Sequence, residues 1–440
     1  MASLVTEGRV DDVVVHPAPT KKARRLFPWV VFTLTFALLL SDYMSRQVLS
    51  SVFPFLKLDW ALTDTQLGAL TSVVALTVGL LAVPLSLLGD RWGRVKSIVL
   101  MAVVWSLATL GSAIAANYGE LMLSRVFIGV GEAAYGSVGL AVVLAVFPAY
   151  RRASFTGAFM AGGSFGSLLG VALGGALAVQ FGWRWAFGVM AILGFVLVVL
   201  YRLLITEKKL DAHRVDDVAD GEPVSRTKER AKLRTLFSTP SVIAAYVGSG
   251  LQLFIAGSLF AWLPSYLNRA YGLAPDKAAG LAAIAILFMG LGMIVCGAVT
   301  DRLSRTVAIR KWTTAIVYTT ASLVFLGVGF SLQPGGAQLL LLAVGIFFAA
   351  GTTGPAGAMV ANLTPESIRA TAFGTMTLAN NLLGLAAGPL VTGILADRIG
   401  LEGAMKIVPI AAVGALIALL IGRKFYVRSL AKVNAPVGTR

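Results

Sequence analysis

Twelve long apolar runs follow one another along the chain, at about 27–51, 65–88, 97–117, 119–148, 153–180, 185–205, 241–267, 277–300, 311–332, 337–361, 368–396 and 404–423. A helix needs about 20 mostly apolar residues to cross a bilayer. Several of the runs contain Gly and Pro, which membrane helices tolerate. The fourth and fifth are the hardest to separate, because the break at Pro148–Arg152 is short. The pattern predicts an all-α integral membrane protein of twelve transmembrane helices.

One sizeable polar stretch, 206–240, divides the runs into six and six. The expected plan is a tail (1–26), a six-helix bundle (27–205), the linker (206–240), a second bundle (241–425) and a short tail (426–440).

Composition agrees. Of 440 residues, 57% are hydrophobic and 13% charged. A soluble domain carries about 25% charged residues, so there is too little charge here to cover a wetted surface. The net charge of +16 has two readings, a nucleic-acid footprint or basic loops on one side of a membrane. Placing the charges decides between them. The termini and the alternate loops on their side hold 28 of the 37 basic residues. The opposite loops hold six: Lys57, Arg184, Arg269, Lys277, Arg398 and Lys406. That bias puts both termini in the cytoplasm and excludes nucleic acid as the partner.

The single cysteine, Cys296, excludes an internal disulfide and a thiolate cluster. Both histidines, His16 and His213, fall in polar segments, so no histidine chemistry is expected inside the bundle. The first twenty residues contain Glu7, Asp11 and Asp12 and lack an apolar run, so the first apolar run reads as an uncleaved span. Two enzyme-like patterns fail on context. Gly162-Gly163-Ser164-Phe165-Gly166 lies in an apolar span with no strand before it. Gly129-Val130-Gly131 has Ala134 where a dinucleotide fingerprint needs its third glycine. There is no Walker loop, so ATP is not the expected energy source. No enzyme activity, cofactor or metal is expected.

The halves repeat. Leu88-Gly89-Asp90-Arg91-Trp92-Gly93-Arg94 follows the second span, and Val299-Thr300-Asp301-Arg302-Leu303-Ser304-Arg305 follows the eighth, offset by 211. Pro148, Arg152 and Gly157 recur as Pro365, Arg369 and Gly374, offset by 217. Gly170, Gly175 and Gly182 recur as Gly388, Gly393 and Gly400, offset by 218. Two parallel six-span repeats are the plan of a rocking transporter with its site between the halves.

The Asp90-Arg91-x-Gly93-Arg94 loop resembles the signature of the major facilitator superfamily, and so does Arg125-x-x-x-Gly129-x-Gly131 in the fourth span. Within that superfamily the chain resembles the spinster-like group, through Ser45-Arg46-Gln47-Val48-Leu49, Leu62-Thr63-Asp64-Thr65-Gln66-Leu67-Gly68, Gly129-Val130-Gly131-Glu132-Ala133 and Trp262-Leu263-Pro264-Ser265-Tyr266-Leu267. Two positions depart from those patterns. Ser86 stands where the loop signature usually has Gly, and Ser45 where the group usually has Asp; the nearest carboxylate is Asp42, one turn earlier. The resemblance implies a two-bundle fold working by alternating access in a bacterial inner membrane. It implies gating by Asp90, Arg91 and Arg94, with Asp301 and Arg302 as the echo in the second half.

Charge inside a span is costly and points to function. Four such residues stand out, all in the first half: Asp42, Arg46, Arg125 and Glu132. Asp42 and Arg46 are four apart and can pair on one helix face. Asp42, Glu132 and Arg125 are the candidates for proton coupling, because burial favours a neutral carboxyl and a nearby arginine favours the ionised one. Arg46, with Glu132, is the candidate for an anionic substrate, since a guanidinium suits carboxylate and phosphate alike. The second half offers polar or aromatic candidates only: Gln252, Trp262, Tyr266, Asn380 and Asn381. Charge on one side and apolar surface on the other suit an amphipathic substrate. The expected function is therefore a proton-coupled, monomeric transporter of an amphipathic organic anion; the resemblance implies a lysophospholipid. A proton symporter for sugar acids or aromatic acids is the alternative, and multidrug efflux a weaker one.

Overall fold

In the computed structural model, the described residues are 21–213, 236–237, 239–365 and 368–434. The first half comprises α1 (Lys21–Trp60), α2 (Asp64–Trp92), α3 (Arg94–Ile114), α4 (Tyr118–Glu132), α5 (Tyr135–Ala145), α6 (Ala149–Phe181) and α7 (Trp183–Leu204). A short α8 (Glu207–Ala212) follows. The second half comprises α9 (Pro240–Tyr271), α10 (Pro275–Ser304), α11 (Arg310–Ser331), α12 (Gly336–Ala349), α13 (Thr353–Asn362), α14 (Arg369–Ala379), α15 (Ala387–Ile407) and α16 (Ala411–Asn434). No strand occurs among the described residues.

These helices make twelve spans. The fourth is α4 and α5, broken at Ala133–Ala134; the tenth is α12 and α13, broken near Ala350–Thr352. The sequence pattern reads as one run in each place, because apolar content is blind to a local break. The eleventh span is α14, a π-helical turn (Asn380–Ala386) and the start of α15. Gly400 (φ 78°) then kinks α15 and starts the twelfth. Gly182 (φ 89°) does the same between the fifth and sixth spans. The pair is 218 residues apart, so the repeat read from the glycines is a repeat of backbone shape. A Cβ is strained at such φ, which explains glycine at both corners.

Helix starts follow local chemistry. Thr63 and Gln66 form a reciprocal capping box on α2. Asn117 caps α4, and Thr239 caps α9 with Pro240 in the first turn. Gly166, Gly170 and Gly174, spaced four apart, let α6 lie directly on α1: a Cβ on Gly166 would be 2.6 Å from the Leu40 carbonyl. Large apolar side chains such as Ile114 (73% exposed) and Leu203 (67%) point outward, as a lipid-facing surface requires. Two limits differ from the pattern. α1 begins at Lys21, inside the expected tail, and α16 runs on to Asn434. Basic residues are good helix formers and extend an apolar helix past the membrane. The tail before Lys21 and most of the linker lie outside the described residues.

The core is divided unevenly. At the end carrying the α1–α2 loop, one apolar cluster joins both halves, including Phe53, Leu56 and Leu67 with Leu259, Trp262, Ala279 and Met405. At the end carrying the termini, there are two clusters. One belongs to the first half, with Leu38, Trp105 and Phe159; the other to the second, with Tyr246, Trp312 and Tyr426. The halves thus share one core at one end and keep separate cores at the other, where α2 still meets α14: a Cβ on Gly374 would be 3.3 Å from Val83. The α6–α10 contact shows the same taper. A Cβ on Gly175 would meet Ala279, and one on Gly290 would meet Ser164, whereas Gly157 and Gly297 face open space.

Candidate functional site

A cavity of about 280 Å³ lies between the halves. Tyr43, Arg46 and Gln47 of α1, Thr71 of α2 and Ser164 and Ser167 of α6 supply its polar wall. Leu253, Phe260, Ile286, Met289, Met293 and Leu385 supply most of the facing apolar wall. Met160 extends the lining towards the side where α6 and α10 part.

Arg46 reaches across to α4. Its Nη1 donates to Glu132 Oε1 at 2.5 Å, and both side chains are nearly buried. Glu132 Oε2 is buried without a hydrogen-bond partner. Glu132 is the last residue of α4, just before the break, and its carboxylate meets Arg46 of α1. Arg46 therefore pairs between helices and not with Asp42 one turn away. Asp42 is 3% exposed, its Oδ1 has no partner, and it lies within electrostatic reach of Arg46 and Glu132. Arg125 is fully buried and makes no ion pair among the described residues. Its Nη1 and Nη2 donate to the Ser45 and Arg46 carbonyls at 3.3 and 2.9 Å, so it fixes α4 against α1 at the level of the ion pair.

The second-half candidates sit around the cavity, and none of them lines it. Gln252 donates to the Ala349 carbonyl beside the break in the tenth span. Trp262 is fully buried against Phe53 (ring centroids 5.2 Å) and donates from Nε1 to the Pro389 carbonyl. Tyr266 accepts from Gln338 and packs edge-on against Phe330. Asn380 and Asn381 open the π-helical turn, and Asn381 donates to the Thr377 carbonyl. Tyr43, Gln47, Thr71, Phe260 and the methionines are cavity residues that sequence reasoning missed. Only Gln47 carried a signal, standing next to Arg46 inside a span.

At the termini end, Arg91 is exposed and Arg94 half-buried at the α2–α3 corner, while the Asp90 side chain lies outside the described residues. Asp301 and Arg302 are exposed at the end of α10. The Val95 N–H donates to Glu207 of α8, so the segment after the sixth span caps the corner.

The closed end has its own lock. Asp397, on the eleventh span, accepts from the Asp64 and Thr65 N–H groups at 2.8 Å each, at the N-terminus of α2. Asp64 in turn takes both terminal nitrogens of Arg269 from α9, at 2.7 and 2.8 Å, and Lys57 at 2.7 Å. Two carboxylates and two cations thus tie the halves together. A Cβ on Gly393 would be 2.4 Å from the Asp64 carbonyl, so glycine is needed for this approach. Charge counting placed Lys57, Arg269 and Arg398 as loop residues only. One signal was available: Asp397-Arg398-Ile399-Gly400 repeats the Asp-Arg-x-Gly order of the Asp90 loop.

Comparison with known proteins agrees with this architecture. Residues 35–342 match the Major Facilitator Superfamily. The chain belongs to that superfamily. It is a membrane transport protein and not an enzyme. It is 25% identical to a hexuronate transporter of Bacillus subtilis (strain 168) over 413 residues, covering 90% of this chain and 94% of that protein. It is 31% identical to protein spinster homolog 1 of Homo sapiens over 233 residues, covering 52% of this chain and 44% of that protein. Its fold is similar to that of a bacterial homolog of the human lysosomal transporter spinster in an inward-facing, unoccupied conformation. The TM-score is 0.78 at 18% identity, over 92% of this chain and 98% of that one.

Proposed function

We propose that the protein is a proton-coupled, secondary-active transporter of amphipathic organic anions such as lysophospholipids, and that it acts as a monomer. The observation that carries this reading is the Arg46–Glu132 pair in the wall of a largely apolar cavity. A substrate anion and the Glu132 carboxylate compete for one guanidinium. Protonating Glu132 removes its charge and frees Arg46 for a carboxylate or phosphate. Proton and anion then bind with positive coupling, which links their movement. Asp42, buried beside the pair, is the second proton acceptor, and Arg125 keeps the two helices in register. Gln252, Trp262, Tyr266, Asn380 and Asn381 shape the second half's wall from behind.

The end carrying the termini is the cytoplasmic end, on the strength of the basic-residue bias. The arrangement is then inward-facing. Asp64, Asp397 and Arg269 form the outer lock. Asp90, Arg91 and Arg94, with Asp301 and Arg302, close the inner end in the opposite state. The bilayer is the inner membrane of a bacterium.

A second reading, a proton symporter for sugar acids, is favoured by the near full-length similarity to a hexuronate transporter. Purified protein in proteoliposomes, given an inward proton gradient and radiolabelled lysophosphatidate or glucuronate, separates the two. Uptake of lysophosphatidate that stops when the gradient is collapsed supports the first reading. Gradient-dependent uptake of glucuronate alone supports the second. No proton-dependent uptake of any organic anion overturns both.

A further inference from the structure

A groove of about 530 Å³ lies on the outer face of the first half, between α3 and α7 and far in sequence from the α9–α15 wall of the central cavity. Its mouth, at the termini end, carries Lys96, Arg202 and Lys208. None of the three has a hydrogen bond or ion pair among the described residues. The one carboxylate in the groove, Glu207, already accepts the Val95 N–H at 2.8 Å. Thr206, also in the lining, caps α8. Below the cations the walls are Val99, Leu100 and Val103. That apolar surface runs on along the lipid-facing sides of both helices, through Leu107 (53% exposed) and Val199 (55%).

We propose that this groove binds an anionic glycerophospholipid from the surrounding leaflet. The headgroup phosphate sits among Lys96, Arg202 and Lys208, and an acyl chain lies along α3 and α7. Two features select this occupant. The cations converge at the end of the spans, at the depth of a headgroup, where basic pockets between helices hold anionic lipid. The apolar wall continuous with them points into the hydrocarbon, which a soluble phosphate would not use. The groove adjoins the corner between α2 and α3, so a bound lipid would brace the Glu207 cap there.

The test uses the full chain in detergent, titrated with dioleoyl-phosphatidylglycerol or dioleoyl-phosphatidylcholine and read by native mass spectrometry. Wild type is expected to bind phosphatidylglycerol in preference. The triple variant Lys96→Gln/Arg202→Gln/Lys208→Gln should lose about fivefold in affinity for each charge removed. Arg305→Gln/Lys311→Gln/Lys424→Gln, which removes as much charge from the same end of the second half, should keep the wild-type preference. Gel filtration and thermal unfolding report whether each variant is folded, and Lys96→Arg/Lys208→Arg should retain binding if charge is what matters. Equal binding of the two lipids by wild type overturns the proposal. So does an equal loss in both triple variants, or displacement of the lipid by millimolar inorganic phosphate.

Discussion

Asp397→Asn tests the lock at the closed end. The Asp397 carboxylate accepts two N–H groups at 2.8 Å from the first turn of α2. A hydrogen bond to a charged group is worth about 1.5–3 kcal/mol, and a negative charge at a helix N-terminus about 0.3–1 kcal/mol. Asparagine keeps one acceptor oxygen and turns its NH2 towards the second N–H. Asp397 is exposed, so solvent screens much of the loss. The neighbouring Asp64 could gain from losing a like charge, but Arg269 and Lys57 already neutralise it. The net cost is about 1.5 kcal/mol, or roughly tenfold in the ratio of closed to open at this end. Cys296, the sole cysteine, is buried and can be replaced by Ala, leaving a background for spin labels at Leu58→Cys and Glu402→Cys. Electron–electron double resonance should show the longer distance gaining population in Asp397→Asn. An unchanged distribution would refute the view that this carboxylate holds the halves together.

Other substitutions probe separate parts. Gly393→Val puts a side chain against the Asp64 backbone, so the same labels should report an end that cannot shut, with uptake abolished. Arg46→Ala should lower anion affinity at least about tenfold, read by substrate-induced quenching of tryptophan fluorescence, with Arg46→Lys in between. Trp262→Phe keeps the contact with Phe53 and loses the bond to the Pro389 carbonyl. It should cost about 1 kcal/mol, measured as a lower midpoint of thermal unfolding.

The bundle was legible because its cause is local. The twelve apolar runs are sums over neighbouring residues, and the repeat pointed to two halves. Even the corners at Gly182 and Gly400 could be read, since a positive φ selects glycine. The site was legible by residue type and not by pairing. Scarcity of charge picked out Asp42, Arg46, Arg125 and Glu132. Sequence spacing then suggested Asp42 with Arg46, whereas the carboxylate that pairs with Arg46 is Glu132, from another helix. Arg125, picked out as a candidate for proton coupling, donates to the backbone carbonyls of Ser45 and Arg46, contacts that sequence spacing does not show. The outer lock joins Asp64 to Asp397, 333 positions apart. The one signal, the Asp-Arg-x-Gly order that Asp397-Arg398-Ile399-Gly400 shares with the Asp90 loop, marks the segment and not its partner. The apolar cavity wall was hidden for a different reason: in a chain that is 57% hydrophobic, Met289 and Leu385 look like any packing residue.

If a proton on Glu132 frees Arg46 for the anion, protons enter together with substrate. They can be counted with a pH-sensitive dye in lightly buffered proteoliposomes. Wild type should take up protons when a transported organic anion is added. Glu132→Gln should take up fewer protons per anion than wild type, those that remain entering on Asp42, yet still exchange labelled for unlabelled anion across the membrane. Proton uptake by Glu132→Gln equal to that of wild type would contradict the account.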